Sequence, residues 1–486
     1  MRTDRRSPIH DFHLRPLAAC LILAFSAGAL AGSGTAHDGA AHDDVLAKAS
    51  TGAKQKATTP KIPIPQTWIV KNCDDSGPDS LRDILQPTNA QSNDIIDLTL
   101  LPTMCGMTDS KITLTSGQIV VSQDNLTLHG PDQGSLTISG NHASRVFLHQ
   151  GAGLLKMSSL TIADGQYHVG AKASGGCLMS NGSVYLHKVN VTGCKAVSDL
   201  DYAFGGGIWT SGDFTMVSST VSANESDGPQ KFAVGGGIST SGNFAALYSS
   251  ISGNTANDGQ AYGGIAGGVY ALSGALMIAS TIDGNAAAYG AALLTDGVSV
   301  IENSTISDNT SGKCCAVEVF GDSLTIANST IAFNVSAADF GFGAVYFNGP
   351  AANSPLTLQS SIIANNTAGA NNVEEDVFIA AGQGVLSGAD NLVMATNIPI
   401  PPPGVITVTS DPKLGPLQFN GGPTRTRALL AGSPALAKGN DNITPTLAFD
   451  QRGPGYPRTT GTGINVTTDI GAVEFDSIFF DGLEEM

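Results

Sequence analysis

Charge is scarce in this chain. Only 13% of its 486 residues are Asp, Glu, Lys or Arg, and aromatic residues make up 6%. A disordered chain carries more charge and fewer apolar residues, so the composition excludes a wholly unfolded polymer. The little charge present is lopsided: 41 acids against 24 Lys and Arg give a net −17. That balance repels phosphate backbones and excludes nucleic acid as a partner. No Cys-x-x-Cys or His-x-x-x-His spacing occurs, which removes the common zinc arrangements. His129, His142, His149, His168 and His187 follow no ligand spacing and read as surface residues. Past the N-terminus, no apolar run is long enough to span a bilayer.

Gly (59 residues), Ser, Thr and Asn fill the space that charge leaves, and they suit short strands and tight turns. The N-terminus has the form of an export signal. Arg2, Arg5, Arg6 and Arg15 precede an apolar stretch at 17–30, and Ala29-Leu30-Ala31 resembles a cleavage site. Residues 1–31 are therefore expected to be removed, leaving no transmembrane segment. Residues 32–65 lack apolar periodicity and read as a disordered spacer. Order is expected from 66. In the stretch 77–85, Asp79 or Ser80 can cap a short helix whose apolar side is Leu81, Ile84 and Leu85. That helix suits the N-terminal cap of a repeat structure, assigned to 66–115.

The repeat is clearest where Gly205-Gly206-Gly207-Ile208 … Ser219-Thr220-Val221-Ser222-Ala223-Asn224 recurs as Gly235-Gly236-Gly237-Ile238 … Ser249-Ser250-Ile251-Ser252-Gly253-Asn254. The closing polar position recurs as Asn141, Asp164, Cys194, Asn224, Asn254, Asn285, Asn309, Asn334 and Asn365. An apolar marker lies 16 positions earlier in six consecutive units, from Leu148/Asp164 through Leu178/Cys194 to Leu293/Asn309. The variable length falls after the closing residue. Within the block, apolar residues alternate with Ser, Thr or Gly, which is strand periodicity. Such short strands bury an apolar face only by stacking coil on coil. The expected fold is all-β: a single-stranded right-handed parallel β-helix of about ten to twelve coils over 116–395. Asn tolerates left-handed backbone angles and both donates and accepts, so Asn141, Asn224, Asn254, Asn285, Asn309, Asn334 and Asn365 form a structural ladder. Six Cys remain after the signal. Coil closure favours a Cys177–Cys194 disulfide. Cys73 and Cys105 bracket the cap and are the second pair, and Cys314-Cys315 are left open as free or vicinally bonded.

These repeats resemble pectate-lyase-like β-helix surface proteins and the short motifs of polymorphic outer-membrane proteins. The C-terminal motifs are more specific. Asp411-Pro412-Lys413-Leu414-Gly415-Pro416-Leu417, Asn420-Gly421-Gly422-Pro423-Thr424, Asp450-Gln451-Arg452-Gly453 and Asp469-Ile470-Gly471-Ala472-Val473-Glu474 resemble the choice-of-anchor Q domain, a C-terminal cap over 396–475. The tail 476–486 is similar to a short Phe-x-x-Gly-Phe-Glu ending, with Leu483 in place of Phe. The resemblance implies an exported protein, extracellular or associated with the outer membrane or cell surface, usually without an assigned reaction.

Function is expected in the long segments after Cys194, Asn224 and Asn254. They carry Lys195, Asp199, Asp201, Glu225, Asp227, Lys231 and Asp258, with Tyr202, Phe204, Phe232 and Tyr262 among them. Stacking should place them on one face. The first reading is a non-catalytic, adhesin-like or scaffold protein that binds glycans or a host or neighbouring cell surface there. The alternative is a polysaccharide lyase or glycoside hydrolase using Asp199, Asp201, Asp227 and Lys231. No cofactor is called for, and calcium enters only with the lyase reading.

Overall fold

The computed structural model describes residues 64–475, apart from 106–109, 133, 231, 258, 260–263, 338–343, 370, 372, 375, 441–447 and 460–466. The signal-like segment, nearly all of the spacer, the tail, Lys231, Asp258 and Tyr262 lie outside the described residues. The remainder is a right-handed parallel β-helix. One coil runs as follows. Ile208–Thr210 lies in sheet B, and Phe214–Val217 and Thr220–Ser222 lie in sheet A. Glu225–Asp227 lies in sheet C and Ala233–Val234 in sheet D, before the chain re-enters sheet B at Ile238. Among the described residues sheet B holds ten strands, sheet C nine and sheet D three.

Register explains why the sequence stacks this way. Ile208 lies against Ile238, Phe214 against Phe244 and Val221 against Ile251, each one coil apart. Alternation points these residues inward, and all are buried in one continuous apolar core. The Phe214 and Phe244 rings stack with centroids 6.3 Å apart.

Two ladders of polar side chains hold the corners. At the corner between sheets A and C, the Asn254 amide donates to Asn285 Oδ1 (2.9 Å) and to the Val221 carbonyl (3.0 Å). Its own Oδ1 accepts from the Asn224 amide and backbone N–H. The chain of contacts runs Asn224, Asn254, Asn285, Asn309, Asn334. Its next rung is Asn366, and the last acceptor is the buried Asp376. Asn365 is instead the left-handed residue before that rung (φ 59°) and reaches Asp411. Asn141 is also left-handed (φ 55°), and it is exposed outside the ladder. Asp164 occupies the left-handed position too, so the corner position of its coil is Gly165. The marker there is Phe147, paired with Leu178, rather than Leu148. That coil has a longer turn, and both ends of the apparent 16-residue block are displaced by one.

A second ladder, of serines, holds the bend within sheet A. Ser219, Ser249, Ser280, Ser304 and Ser329 each accept from the backbone N–H one coil earlier and donate to the carbonyl two residues back. The residue before each is left-handed.

Glycine marks the seam where a coil closes. Gly205 has φ 59°, a conformation that costs most L-residues. A Cβ on Gly206 would lie 2.2 Å from the backbone of Glu225. Cys177 stands one coil before Gly207, and its disulfide to Cys194 takes the place of the close Gly207–Asn224 contact. The Cys194 N–H still donates to Asn224 Oδ1, so the disulfide begins the ladder.

The N-terminal end is covered by α1 (Leu81–Ile84), whose N-cap is Ser80. Leu81, Ile84 and Leu85 join the core, and Cys73–Cys105 ties this segment to α2 (Leu101–Met104). The C-terminal motifs fold back onto the outer face of sheet A. Gln451 bonds Thr281, Thr305 and Thr424. Arg427 forks onto Asp308 and stacks over Phe333. Arg458 binds Glu474 at 2.8 Å and Asn303 at 2.6 Å. Gly471 approaches the helix so closely that a Cβ would meet Ile362.

Candidate functional site

The long segments do stack on neighbouring coils, as the repeat required. Their residues, however, divide between two faces. Sheets C and D pack against each other chiefly through alanines: Ala173, Ala196 and Ala203 in one cluster, with Tyr167 and Val169 against them, and Ala233, Ala256 and Ala287 in the next. Alternation then sends the neighbours of those alanines outward on opposite sides of a thin ridge.

The outer face of sheet C carries the charge. In register, Gln166, Lys195, Glu225 and Thr255 form one column, and His168, Val197, Asp227 and Asn257 the next. Lys195 Nζ lies 3.2 Å from Glu225 and 3.0 Å from Asp227. Burial works against its charge, but the hydrogen bonds and fields of Asp227 and Glu225 outweigh that and push the Lys195 ammonium above the ordinary lysine value. A lysine held charged is a poor proton acceptor. His168 Nε2 lies 2.8 Å from Asp199. Asp201 turns away to the ridge tip, its N–H bonded to Ser198. The face therefore joins Asp199 to His168 and Asp227 to Lys195, and leaves Asp201 apart.

The outer face of sheet D carries the rings, and Lys172 links it to the outer face of sheet B. Tyr202 stacks on Phe204 (5.8 Å) and on Phe232 (6.2 Å). Lys172 Nζ lies 4.6 Å from the Phe204 ring and 5.6 Å from that of Trp209, on sheet B. These four rings are half-buried. Sheet B continues the column as Met179, Trp209, Ser239, Tyr270, Leu294, Glu318, Tyr346 and Phe378. Tyr346 stacks on Phe378 at 5.8 Å. Trp209 was overlooked in the sequence, where it sits beside an apolar marker; its alternation with Ile208 is the signal that places it outside.

Glu318 is the outlier in that column. It is 3% exposed, and burial with the field of Asp296 pushes its carboxyl up to about 8. Of the histidines expected at the surface, His149 is buried, bonded to Ser180 (2.7 Å) and the Gln123 carbonyl (2.9 Å). A separate cleft of about 640 Å³ lies between the helix and the C-terminal segment, lined by Phe333, Asn365, Asp411, Lys413 and Leu430. The three described disulfides fit an oxidising compartment. No helix among the described residues is long and apolar enough to cross a membrane.

No protein-family model matches the chain, and no curated protein matches it in sequence. Among solved structures it is similar to a crystal structure of pectate lyase Pel9A: TM-score 0.42, 12% identity, covering 86% of this chain and 98% of that one. It is also similar to a PL6 alginate lyase in complex with a trisaccharide: TM-score 0.33, 10% identity, covering 76% and 92% respectively.

Proposed function

We propose that this is an exported glycan-binding β-helix whose ligand lies on the outer faces of sheets B and D. The observation that carries the reading is the group of half-exposed rings Tyr202, Phe204, Trp209 and Phe232, with Lys172 above two of them. Flat rings give a large apolar contact at little entropic cost, and they suit the C–H faces of a sugar. The cation beside them supplies a hydrogen-bond donor. Repetition along the axis favours an extended polymer over a small molecule, in an adhesin-like or scaffold role at a surface. The C-terminal segment, similar to the choice-of-anchor Q domain, then acts as a brace. A glycan array tests the reading. Phe204→Ala and Trp209→Ala should each weaken binding roughly 3- to 10-fold, while Glu225→Gln should not. Unchanged binding in both ring variants would remove it.

A second reading, polysaccharide cleavage, belongs to the other face. Glu225 and Asp227 both touch Lys195, so two carboxylates lie close together on one strand. A hydrolase needs such a pair, whereas a lyase drawing its base from Lys195 conflicts with the charge held there. Any glycan that binds should then yield reducing ends, lost in Glu225→Gln and Asp227→Asn. Absence of product from every bound glycan would end this reading and leave the first intact.

A further inference from the structure

One acid, Glu318, stands in the sheet B column. Its equivalents in other coils are Met179, Trp209, Ser239, Tyr270, Leu294, Tyr346 and Phe378, none of them acidic. Glu318 faces away from the core between Leu294 and Tyr346 and is nevertheless buried. Its Oε2 has no hydrogen-bond partner among the described residues. A buried acid left without a partner costs free energy and calls for an explanation.

Beside it are Cys314 and Cys315, which occupy the Gly-Gly position of their coil. The Cys315 carbonyl accepts from Ala291 N–H, fixing the pair at the closing seam. Both are buried, and they are bonded to each other. One sulfur from each and one Glu318 oxygen lie within 4.8 Å of one another, and this is the one such group of three His, Cys, Asp or Glu donors among the described residues. Two sulfurs and an oxygen are donor types that a tetrahedral zinc-class ion takes, with metal–sulfur bonds of about 2.3 Å and metal–oxygen bonds of about 2.1 Å, and breaking the disulfide frees the sulfurs to separate to ligand positions.

We propose that Cys314, Cys315 and Glu318 form a binding site for a thiophilic divalent cation of the zinc class, open only while the two cysteines are unoxidised. Disulfide and metal compete for the same sulfurs. A dithiol reductant supplies two electrons and two protons, breaks the Cys314–Cys315 bond and is itself oxidised to a disulfide. Metal entry then displaces the protons of both thiols and of the carboxyl, leaving two thiolates and a carboxylate as ligands. The unpartnered Glu318 oxygen gains its partner, and the cation sits in the field of Asp296. The oxidised coil is the metal-free alternative.

The test uses the full chain and Zn²⁺ itself. Protein prepared anaerobically with a phosphine reductant is dialysed against Zn²⁺ and its metal content measured. The reduced wild type should hold about one ion more per chain than a Cys314→Ser/Cys315→Ser variant reduced in parallel, which subtracts metal held by the other five cysteines. Glu318→Gln keeps the shape of the side chain and should weaken the extra site at least 10-fold. Co²⁺ in place of Zn²⁺ should give a stronger thiolate-to-metal absorption band in the wild type than in the double variant. Equal metal content in wild type and the double variant, with both folded by circular dichroism, would overturn the proposal. So would full Zn²⁺ affinity in Glu318→Gln.

Discussion

Asn254 makes four hydrogen bonds with one side chain, to three residues on two other coils. Replacing it with Ala leaves the buried Asn224 N–H without its acceptor and removes one bond each from the Asn224 amide, which keeps the Val191 carbonyl, from Asn285 Oδ1, which keeps the Asn254 N–H, and from the Val221 carbonyl. An orphaned group costs on the order of 1–3 kcal/mol and the lost bonds add to it, so Asn254→Ala should destabilise the fold by roughly 3–5 kcal/mol. Asn141→Gly, at an exposed left-handed position, should change stability by less than about 0.5 kcal/mol. Equilibrium denaturation of the two variants checks the contrast. At the N-terminal end, Asp75 shows the same residue-scale logic with a charge. Burial alone would raise its carboxyl. Bonds from Ser116, Arg82 and Thr115 outweigh burial and hold it well below the usual carboxylate range. A lowered value means stability that is complete above the ordinary value of 3.8 and is lost as pH falls below it. Asp75→Asn should therefore lower Tm at pH 7, and the gap to wild type should narrow progressively below about pH 4. A gap that persists undiminished to pH 2.5 would show that the carboxylate charge is not what matters there.

At the scale of elements, the corner between sheets A and C is closed in two chemically different ways. Later coils set a Gly against an Asn, as at Gly207 and Asn224; the coil before them sets Cys177 against Cys194. Cys177→Ala/Cys194→Ala should cost about 3 kcal/mol for a loop of this length. Cys177→Gly/Cys194→Asn, which recreates the later pattern, should recover part of that loss; denaturant midpoints decide it. This equivalence also shows what the sequence made legible. The Asn corner could be read because Asn is less frequent than Ser in the chain and recurs at a fixed distance after the apolar marker. The serine ladder at Ser219, Ser249 and Ser280 recurs as regularly, yet Ser is so frequent in the chain that its position carried no contrast. Asn365 was mistaken for the rung because Asn366 follows it directly, and only the backbone angle separates them. The split of the long segments into a charged and an aromatic face could not be read. It depends on which residues of two- and three-residue strands such as Ala203–Phe204 turn inward, and a strand that short has no period.

Across the whole described helix, stability should be uneven, because coils contact only their neighbours and the C-terminal segment braces only some of them. Its anchors fall on Thr281, Asn303, Thr305, Asp308 and Thr330, all in later coils. These contacts join residues some 120 to 170 apart in sequence, which is why motifs such as Asp450-Gln451-Arg452 signalled a family resemblance but not a place. Arg458 is the central anchor. It is buried with Glu474, and it reaches Asn303 and the Asn328 carbonyl. Without Arg458 the buried Glu474 keeps the Asp469 N–H but loses its counter-charge, and removing one member of a buried pair costs roughly 3–5 kcal/mol. Arg458→Ala should therefore detach the brace. In native-state hydrogen exchange, strands between about 280 and 365 should lose protection, while those between 126 and 222, which lie before the braced coils, should exchange as in the wild type. A uniform loss along the axis would mean that the coils unfold as one cooperative unit. A local loss would locate the stability of the later coils in the C-terminal segment and leave the ring-lined face at 202–232 to stand on its own ladders.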